Sequence, residues 1–314
     1  MLNIRQGSIH LLRFAGIDLY LHWSWFLVAL YEIESRKGQY SSIAWNALEY
    51  MALFAIVLMH EFGHALACRQ VGGTANQILL WPLGGVAYVN PPQRPGATLW
   101  SIAAGPLVNV ALLPILVGVF VMGRSMGWPT AHHDLYIFVR AVMGINISLL
   151  VFNILPIYPL DGGQILRSLL WFLVGRARSL MAATIFGLVG ITAFFGLALW
   201  MQSIWLGIIS VFMLMVCWGG LRSARVMWGL EKLPRRPGFA CPSCKTAPLL
   251  GARWKCSQCG QAFDTFATGA VCPNCAAQYP VTGCGFCGEK LPMSEWVVGG
   301  PASSGVINGG FLNR

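Results

Sequence analysis

Two histidines and a glutamate form the most informative pattern in this sequence. His60, Glu61 and His64 have the spacing HExxH, which puts both imidazoles on one face of a helix, where they can bind one zinc ion. The glutamate beside the first histidine is placed to act as a general base on water at that ion. The pattern therefore predicts zinc-dependent hydrolysis, with a structural histidine pair in a helix bundle as the alternative.

The surroundings of this pattern are apolar. Residues Tyr50–Cys68 have the composition of a membrane-spanning helix. Ionisable side chains at membrane depth are costly, and they indicate a functional site. The sequence therefore predicts hydrolysis of a peptide bond within the bilayer.

The composition is that of a polytopic membrane protein. The 314 residues are 56% hydrophobic and 10% charged, whereas soluble domains have about 25% charged residues. We predict an all-α membrane domain with about six transmembrane helices. The predicted spans are approximately Leu19–Tyr31, Ile43–Cys68, Thr98–Met122, Leu135–Leu155, Ser179–Trp200 and Ser203–Leu221.

The distribution of positive charge predicts the orientation. If the N-terminus is cytoplasmic, twelve Lys and Arg residues fall in inner segments and three in outer loops. Cytoplasmic loops carry the excess of positive residues, so we predict a multi-pass protein with both termini in the cytoplasm. The net charge of +10 then reflects this bias. The positive inner loops would be attracted to an anionic lipid bilayer. Nucleic acid is the weaker explanation, because the positive residues are spread over several loops.

Two short β-prone runs lie between the second and third predicted spans. Ile78–Trp81 and Val86–Val89 flank the turn-forming residues Pro82–Gly85, which predicts a β-hairpin at the membrane edge. An extended peptide can pair with the free edge of such a hairpin. A packing loop without a substrate role is the alternative.

A hydrolytic zinc site usually has three protein ligands and one open position. Asp161 is the best-placed carboxylate for the third ligand, because Pro156 and Pro159 break the fourth predicted span just before it. The competing interpretation is that Asp161 caps the helix that follows. Asn109 and Asn153 are candidates to hydrogen-bond the substrate or the oxyanion. For these two residues, an interhelical hydrogen bond and a cap on broken backbone are the respective alternatives.

Three motifs fall in order along the predicted spans. They are HEFGH at 60–64, Gly105-Pro106-Leu107-Val108-Asn109, and N-x-x-P-x-x-P-L-D-G-G at 153–163. Together they resemble the site-2 protease family of intramembrane zinc metalloproteases, over residues 15–222. The resemblance implies that His60, His64 and Asp161 bind one catalytic zinc and that Glu61 is the catalytic base. It also implies a membrane-anchored protein substrate, cut in or near its transmembrane segment, in regulated intramembrane proteolysis.

Eight of the ten cysteines form four CxxC pairs near the C-terminus. We predict a small cytoplasmic double zinc ribbon, in which the first two pairs hold one structural zinc and the last two pairs hold another. Disulfides and rubredoxin-like iron are the alternatives, and a cytoplasmic location argues against disulfides. The pairs are Cys241/Cys244, Cys256/Cys259, Cys272/Cys275 and Cys284/Cys287.

The chain is thus expected to contain a metalloprotease domain (1–233), a linker (234–238), the double zinc ribbon (239–295) and a flexible tail (296–314). The ribbon is expected to recognise a protein partner. A catalytically silent scaffold that binds membrane clients through the ribbon is the alternative function, but it predicts the loss of a ligand or of the base. A metal transporter predicts polar residues along a path through the bilayer, whereas the spans contain one cluster.

Overall fold

The computed structural model describes residues 7–36, 38–81 and 84–298, which form two compact units divided between Trp228 and Gly229. The first unit is mostly helical. Its helices are α1 (Trp25–Ser35), α2 (Ile43–Gln70), α3 (Pro95–Ser125), α4 (Trp128–Ala131), α5 (His133–Ile154), α6 (Asp161–Val174), α7 (Arg176–Trp200) and α8 (Ile204–Glu231).

Five of the described helices are long and apolar enough to cross a membrane, namely α2, α3, α5, α7 and α8. They correspond to the second to sixth predicted spans. Helices α7 and α8 pack against each other through Ile191, Met213 and Cys217, together with Ile157 from the segment before α6. The short helix α6 contacts both α3 and α7.

The prediction of a first spanning helix at Leu19–Tyr31 is wrong. This stretch is divided between strand β2 (Ile17–His22) and α1, which has only 11 residues. Gly16 accepts a hydrogen bond from Arg69 near the end of α2, whereas Arg36 forms an ion pair with Glu49 near its beginning. The segment therefore runs along most of α2, but in a partly extended form that needs fewer residues, because a strand rises about twice as far per residue as a helix.

The expectation of a purely helical domain with one hairpin also needs correction. Strands β1 (Ser8–Phe14), β2, β3 (Thr74–Trp81) and β4 (Gly84–Asn90) form one four-stranded sheet in this order. Strands β3 and β4 are antiparallel, with Ile78 opposite Ala87, and β2 runs parallel to β3. Strand β4 thus has one free edge. The turn residues Pro82 and Leu83 lie outside the described residues.

The sheet packs on the C-terminal half of α2. Ile17, Leu19, Ile78 and Leu80 are almost fully buried against Ala65 and Cys68 of that helix, among other residues. This packing holds β3 and β4 beside the turn of α2 that carries the HExxH residues.

The second unit consists of two small hairpins and connecting turns. Strands β5 (Trp254–Lys255) and β6 (Ala262–Phe263) form one hairpin, and β7 (Val281–Gly283) and β8 (Lys290–Pro292) form the other. A 3-10 turn, Met293–Trp296, follows β8.

The residues expected to be a linker are part of the second unit. The Arg236 amide donates to the Pro248 carbonyl, and the Leu250 amide donates to that of Pro234. The start of the expected flexible tail is also ordered, because Trp296 is 1% exposed and the Val298 amide donates to Gly238. Backbone pairing extends this unit in both directions, a feature that composition alone does not reveal. Residues 299–314 lie outside the described residues.

Candidate active site

Helix α2 presents its two histidines and its glutamate to the interior of the membrane unit. His60, Glu61 and His64 are 3%, 6% and 6% exposed. The start of α6 brings Asp161 to the same place, so that its Oδ2 lies 3.0 Å from His60 Nε2 and 3.3 Å from His64 Nε2. The two Nε2 atoms are 3.2 Å apart. Three ligand atoms from two distant parts of the chain therefore form a triangle.

The size of this triangle fits a zinc ion. Zinc binds nitrogen and oxygen at about 2.0–2.1 Å, so two corners of a tetrahedral site are about 3.3 Å apart. The measured edges of 3.0–3.3 Å are close to that value.

Hydrogen bonding on the far side of His64 supports the same fit. Its Nδ1 lies 2.9 Å from the Ser101 carbonyl, which only accepts, so Nδ1 carries the proton. In the neutral ring, Nε2 then points a lone pair at the carboxylate of Asp161. Two buried acceptors this close repel each other unless a cation lies between them, as in a metal site.

Gly105 on α3 makes room for the histidines. A Cβ atom at this position would lie 2.3 Å from His64 Nε2 and 2.8 Å from His60 Nε2. Real Cβ atoms do not approach that closely, so a side chain at residue 105 would displace the ligand atoms. The close approach of the two histidine rings to α3 therefore explains the glycine of the Gly105–Asn109 motif.

Asp161 does not cap α6. Leu160 occupies the N-cap position, Asp161 is the first helical residue, and no side-chain cap is formed. The break before α6 aims the carboxylate of Asp161 away from its own helix and toward α2. The geometry therefore agrees with the predicted ligand role and not with the capping alternative.

Glu61 faces a cavity of about 450 Å³ that also contains the triangle. Its Oε2 accepts a hydrogen bond of 2.9 Å from the Ala87 amide of β4. Gly85 lies so close that a Cβ atom there would be 2.3 Å from the Glu61 side chain. Other residues lining the cavity include Val57, Val89, Leu149, Phe152, Asn153, Leu160 and Gln164.

The structure separates the two asparagine candidates. Asn153 lines the cavity. Asn109 is fully buried, and its side chain is engaged by His60 Nδ1 at 2.7 Å and by Asn146 Oδ1 at 2.8 Å. The predicted contact between Asn109 and substrate therefore has no support in the geometry, and the interhelical alternative is what the structure contains.

Sequence reasoning missed Asn146, Ser101, Gly85 and Ala87. Asn146 is a fully buried amide in the apolar helix α5, and its polarity at that depth was the available signal. Ser101 and Ala87 contribute backbone groups, which carry no signal in the sequence.

The cysteines form two clusters, but not the predicted ones. The outer cluster contains the first and last pairs, Cys241, Cys244, Cys284 and Cys287. The inner cluster contains the second and third pairs, Cys256, Cys259, Cys272 and Cys275. The prediction that consecutive pairs share a site is therefore wrong, and the two sites are nested along the chain.

The sulfur distances fit zinc in both clusters. They are 3.7 and 3.8 Å in the outer cluster and 3.5 and 3.6 Å in the inner one. At a Zn–S distance of about 2.3 Å, tetrahedral corners are about 3.8 Å apart. All ten cysteines are free, so the described structure contains none of the disulfides considered as the alternative.

Aromatic residues pack in both cores. Phe263 packs with Cys256 and Cys272, whereas Phe266, three residues later, packs with Cys241 and Cys284. Trp254 packs against both cores. In the inner cluster, the Tyr279 hydroxyl donates to Cys256 Sγ at 3.0 Å, and this bond is the largest of several hydrogen bonds that lower the pKa of the thiol to about 6. A thiolate is the form that binds zinc.

Comparison with known proteins places this site in a family. The model of peptidase family M50 matches residues 49–132 and 124–197, which contain all four residues of the active-site prediction. A zinc metalloprotease of Methanocaldococcus jannaschii is 32% identical over 224 residues, or 70% of this chain and 61% of its own length.

Two further proteins are similar to parts of this chain. Stage IV sporulation protein FB of Bacillus subtilis is 32% identical over 126 residues, 37% of this chain and 38% of its own. The solved structure of a site-2 protease from Methanocaldococcus jannaschii is 27% identical, with a TM-score of 0.49, and the match covers 68% of this chain and 95% of that one.

The chain spans less than two thirds of the length of either curated relative, at 61% and 38%. The cysteine clusters lie outside the residues that the family model matches. The matched segments, which contain His60, Glu61, His64 and Asp161, show that this multi-pass membrane protein belongs to peptidase family M50, the site-2 protease family of zinc metalloproteases.

Proposed function

We propose that this protein is an intramembrane zinc endopeptidase that cuts a membrane-anchored protein in or near its transmembrane segment. The observation that carries the proposal is the triangle of His60, His64 and Asp161, which opens with Glu61 into one cavity. A structural histidine pair would need neither a convergent carboxylate nor a cavity.

The residues divide the chemistry between them. His60, His64 and Asp161 would hold the zinc. When bound there, zinc would polarise the scissile carbonyl and make water a better nucleophile. Glu61 would accept the proton of the attacking water and deliver it to the leaving amine. Asn153, which lines the same cavity, would donate a hydrogen bond to the carbonyl oxygen as negative charge develops.

Substrate would enter as an extended segment beside β4. The free edge of this strand lies against the cavity, and Ala87 on it already donates to Glu61. A helical substrate cannot present its carbonyls while its own hydrogen bonds are intact, so it has to unwind locally. Pairing with β4 would offer the unwound backbone new hydrogen bonds.

The wider role follows the family resemblance. We propose that cleavage releases a fragment in regulated intramembrane proteolysis and that the nested cysteine clusters hold two structural zinc ions in a partner-binding module. We also propose that both termini are cytoplasmic, which with five spanning helices requires the β2–α1 segment to cross the bilayer as well. The silent-scaffold alternative is not favoured, because His60, Glu61, His64 and Asp161 converge.

The test is cleavage of a reporter by the purified full-length protein in lipid vesicles. The reporter is a single-pass peptide whose transmembrane segment contains Gly and Pro residues, and mass spectrometry detects the fragments. We expect Glu61→Gln to abolish cleavage while zinc stays bound, because the amide cannot accept a proton.

Glu49→Gln is the matched control. Glu49 is on the same helix and is 4% exposed, but it is paired with Arg36, away from the cavity, so this variant should still cleave. Equal cleavage by wild type and Glu61→Gln would contradict the mechanism. A panel of such reporters that stays intact with wild type would favour the scaffold.

A further inference from the structure

We propose that Asn146 is a positioning residue that sets the tautomer of the zinc ligand His60, acting through Asn109. The inference rests on the zinc site of the proposed function. It starts from a chain of three hydrogen bonds between fully buried groups. His60 Nδ1 meets Asn109 Oδ1, Asn109 Nδ2 meets Asn146 Oδ1, and Asn146 Nδ2 meets the Asn109 carbonyl.

The last of these bonds fixes the direction of the others. A backbone carbonyl only accepts, so the group that faces it at 3.0 Å must be the Asn146 amide nitrogen. Asn146 Oδ1 therefore points at the side chain of Asn109, which has to present its own nitrogen at 2.8 Å. Neither amide can flip without placing two acceptors or two donors against each other.

The fixed direction determines where His60 carries its proton. Asn109 Oδ1 is left facing His60 Nδ1 at 2.7 Å, so Nδ1 must donate. In the neutral ring, Nε2 then has its lone pair free on the side of Asp161, which is the form that binds a metal. The Ser101 carbonyl does the same for His64 directly. Asn109 differs, because a side-chain amide can face either way and needs Asn146 to hold it.

The competing explanation is that the two amides merely join α3 and α5. Buried amides do hydrogen-bond between membrane helices, and such a pair would affect stability alone. The two explanations differ for an aspartate at position 109. Both oxygens of a carboxylate accept, so Asp at 109 would keep the proton on His60 Nδ1 whichever way it faced. Asn146 would then no longer be needed for metal binding, although the interhelical bond would still be missing.

The experiment measures zinc rather than cleavage, on the full-length protein in detergent with a chelator as competitor. We expect Asn146→Leu to weaken the zinc site of His60, His64 and Asp161 roughly 10- to 100-fold, as loss of a group that orients a metal ligand typically does. The double variant Asn109→Asp with Asn146→Leu should recover most of that affinity. Thr184→Val, which removes a buried hydroxyl from α7, is the control for stability loss alone.

Two results would overturn the inference. One is zinc affinity in Asn146→Leu within twofold of wild type, and the other is no recovery in the double variant while its thermal stability matches that of Asn146→Leu. If Asn146→Leu does not fold, Asn146→Ala carries the same expectations. Absence of zinc from this site in the wild type would instead contradict the proposed function.

Discussion

At the scale of single residues, the Gly105–Asn109 motif serves the two histidines by different means. Gly105 leaves the space that both Nε2 atoms occupy, and Asn109, one helical turn later, accepts from His60 Nδ1. Spacing of four residues puts both on the same face of α3. The glycine is therefore steric and the asparagine is polar, and each acts on the ligands rather than on substrate.

Gly105→Ala should remove zinc from the triangle. The added methyl group would lie 2.3 Å from His64 Nε2, so the ring has to move and the ligand atoms separate. We expect zinc affinity at this site to fall by about 10-fold or more, as measured by chelator competition.

Gly118→Ala on the same helix is the control, because nothing lies within 4 Å of a Cβ atom at that position. If Gly105→Ala and Gly118→Ala bound zinc equally well, the close packing of α3 against the histidines would be wrong.

The local part of the site could be predicted from spacing, and the distant part only in part. His60 and His64 are one helical turn apart, so their spacing alone predicts a shared face. Asp161 lies 101 residues from His60, so the broken span before it made it a candidate, and the resemblance to known motifs favoured the ligand role over a helix cap. Asn146 is 37 residues from Asn109, and only the packing of α5 on α3 shows that they meet.

At the scale of elements, the sheet has two edges that no other described strand pairs with, and their surroundings differ. Strand β4 borders the catalytic cavity, whereas β1 is at the opposite edge of the same sheet. Pairing of substrate with an edge strand uses backbone groups, which β1 and β4 both have. The position of β4 beside Glu61 is therefore what distinguishes it.

Site-specific photocrosslinking tests this distinction. With a photoreactive amino acid at Tyr88 of β4 in the Glu61→Gln background, we expect capture of the single-pass reporter in vesicles. The matched position is Leu12 on β1, which is also exposed, and it should capture several-fold less reporter. Equal capture at both positions would argue against strand pairing at the catalytic edge.

Apolar runs predicted the long helices but not the sheet. The hairpin signal at Ile78–Trp81 and Val86–Val89 came from β-prone residues around a turn, and these residues are in paired strands. The run at Leu19–Tyr31 is also apolar and is predicted to be a spanning helix, yet its first part is in β2, which pairs with β3. Periodicity does not distinguish a short buried strand from part of a helix. The presence of a partner strand therefore determines which of the two forms.

At the scale of the whole molecule, the described residues contain one group that could hold a metal ion in the membrane unit and two nested cysteine clusters in the second unit. Four CxxC pairs can be grouped in more than one way, and their spacing does not decide between the groupings. In the nested arrangement, Phe263 packs in the inner core and Phe266 packs in the outer core.

Zinc counts in paired variants distinguish nesting from consecutive sites. Cys241→Ser with Cys284→Ser changes only the outer cluster, so we expect one zinc per chain to be lost. Cys241→Ser with Cys256→Ser changes both clusters and should lose two. Consecutive sites predict the reverse, and elemental analysis of the purified protein measures the difference.

We propose that one zinc lies among His60, His64 and Asp161, beside Glu61. The most direct measurement is anomalous X-ray scattering at the zinc edge from crystals of the full-length protein. We expect one peak about 2 Å from His60 Nε2, His64 Nε2 and a carboxylate oxygen of Asp161. Occupied cysteine clusters without a peak at this triangle would contradict it.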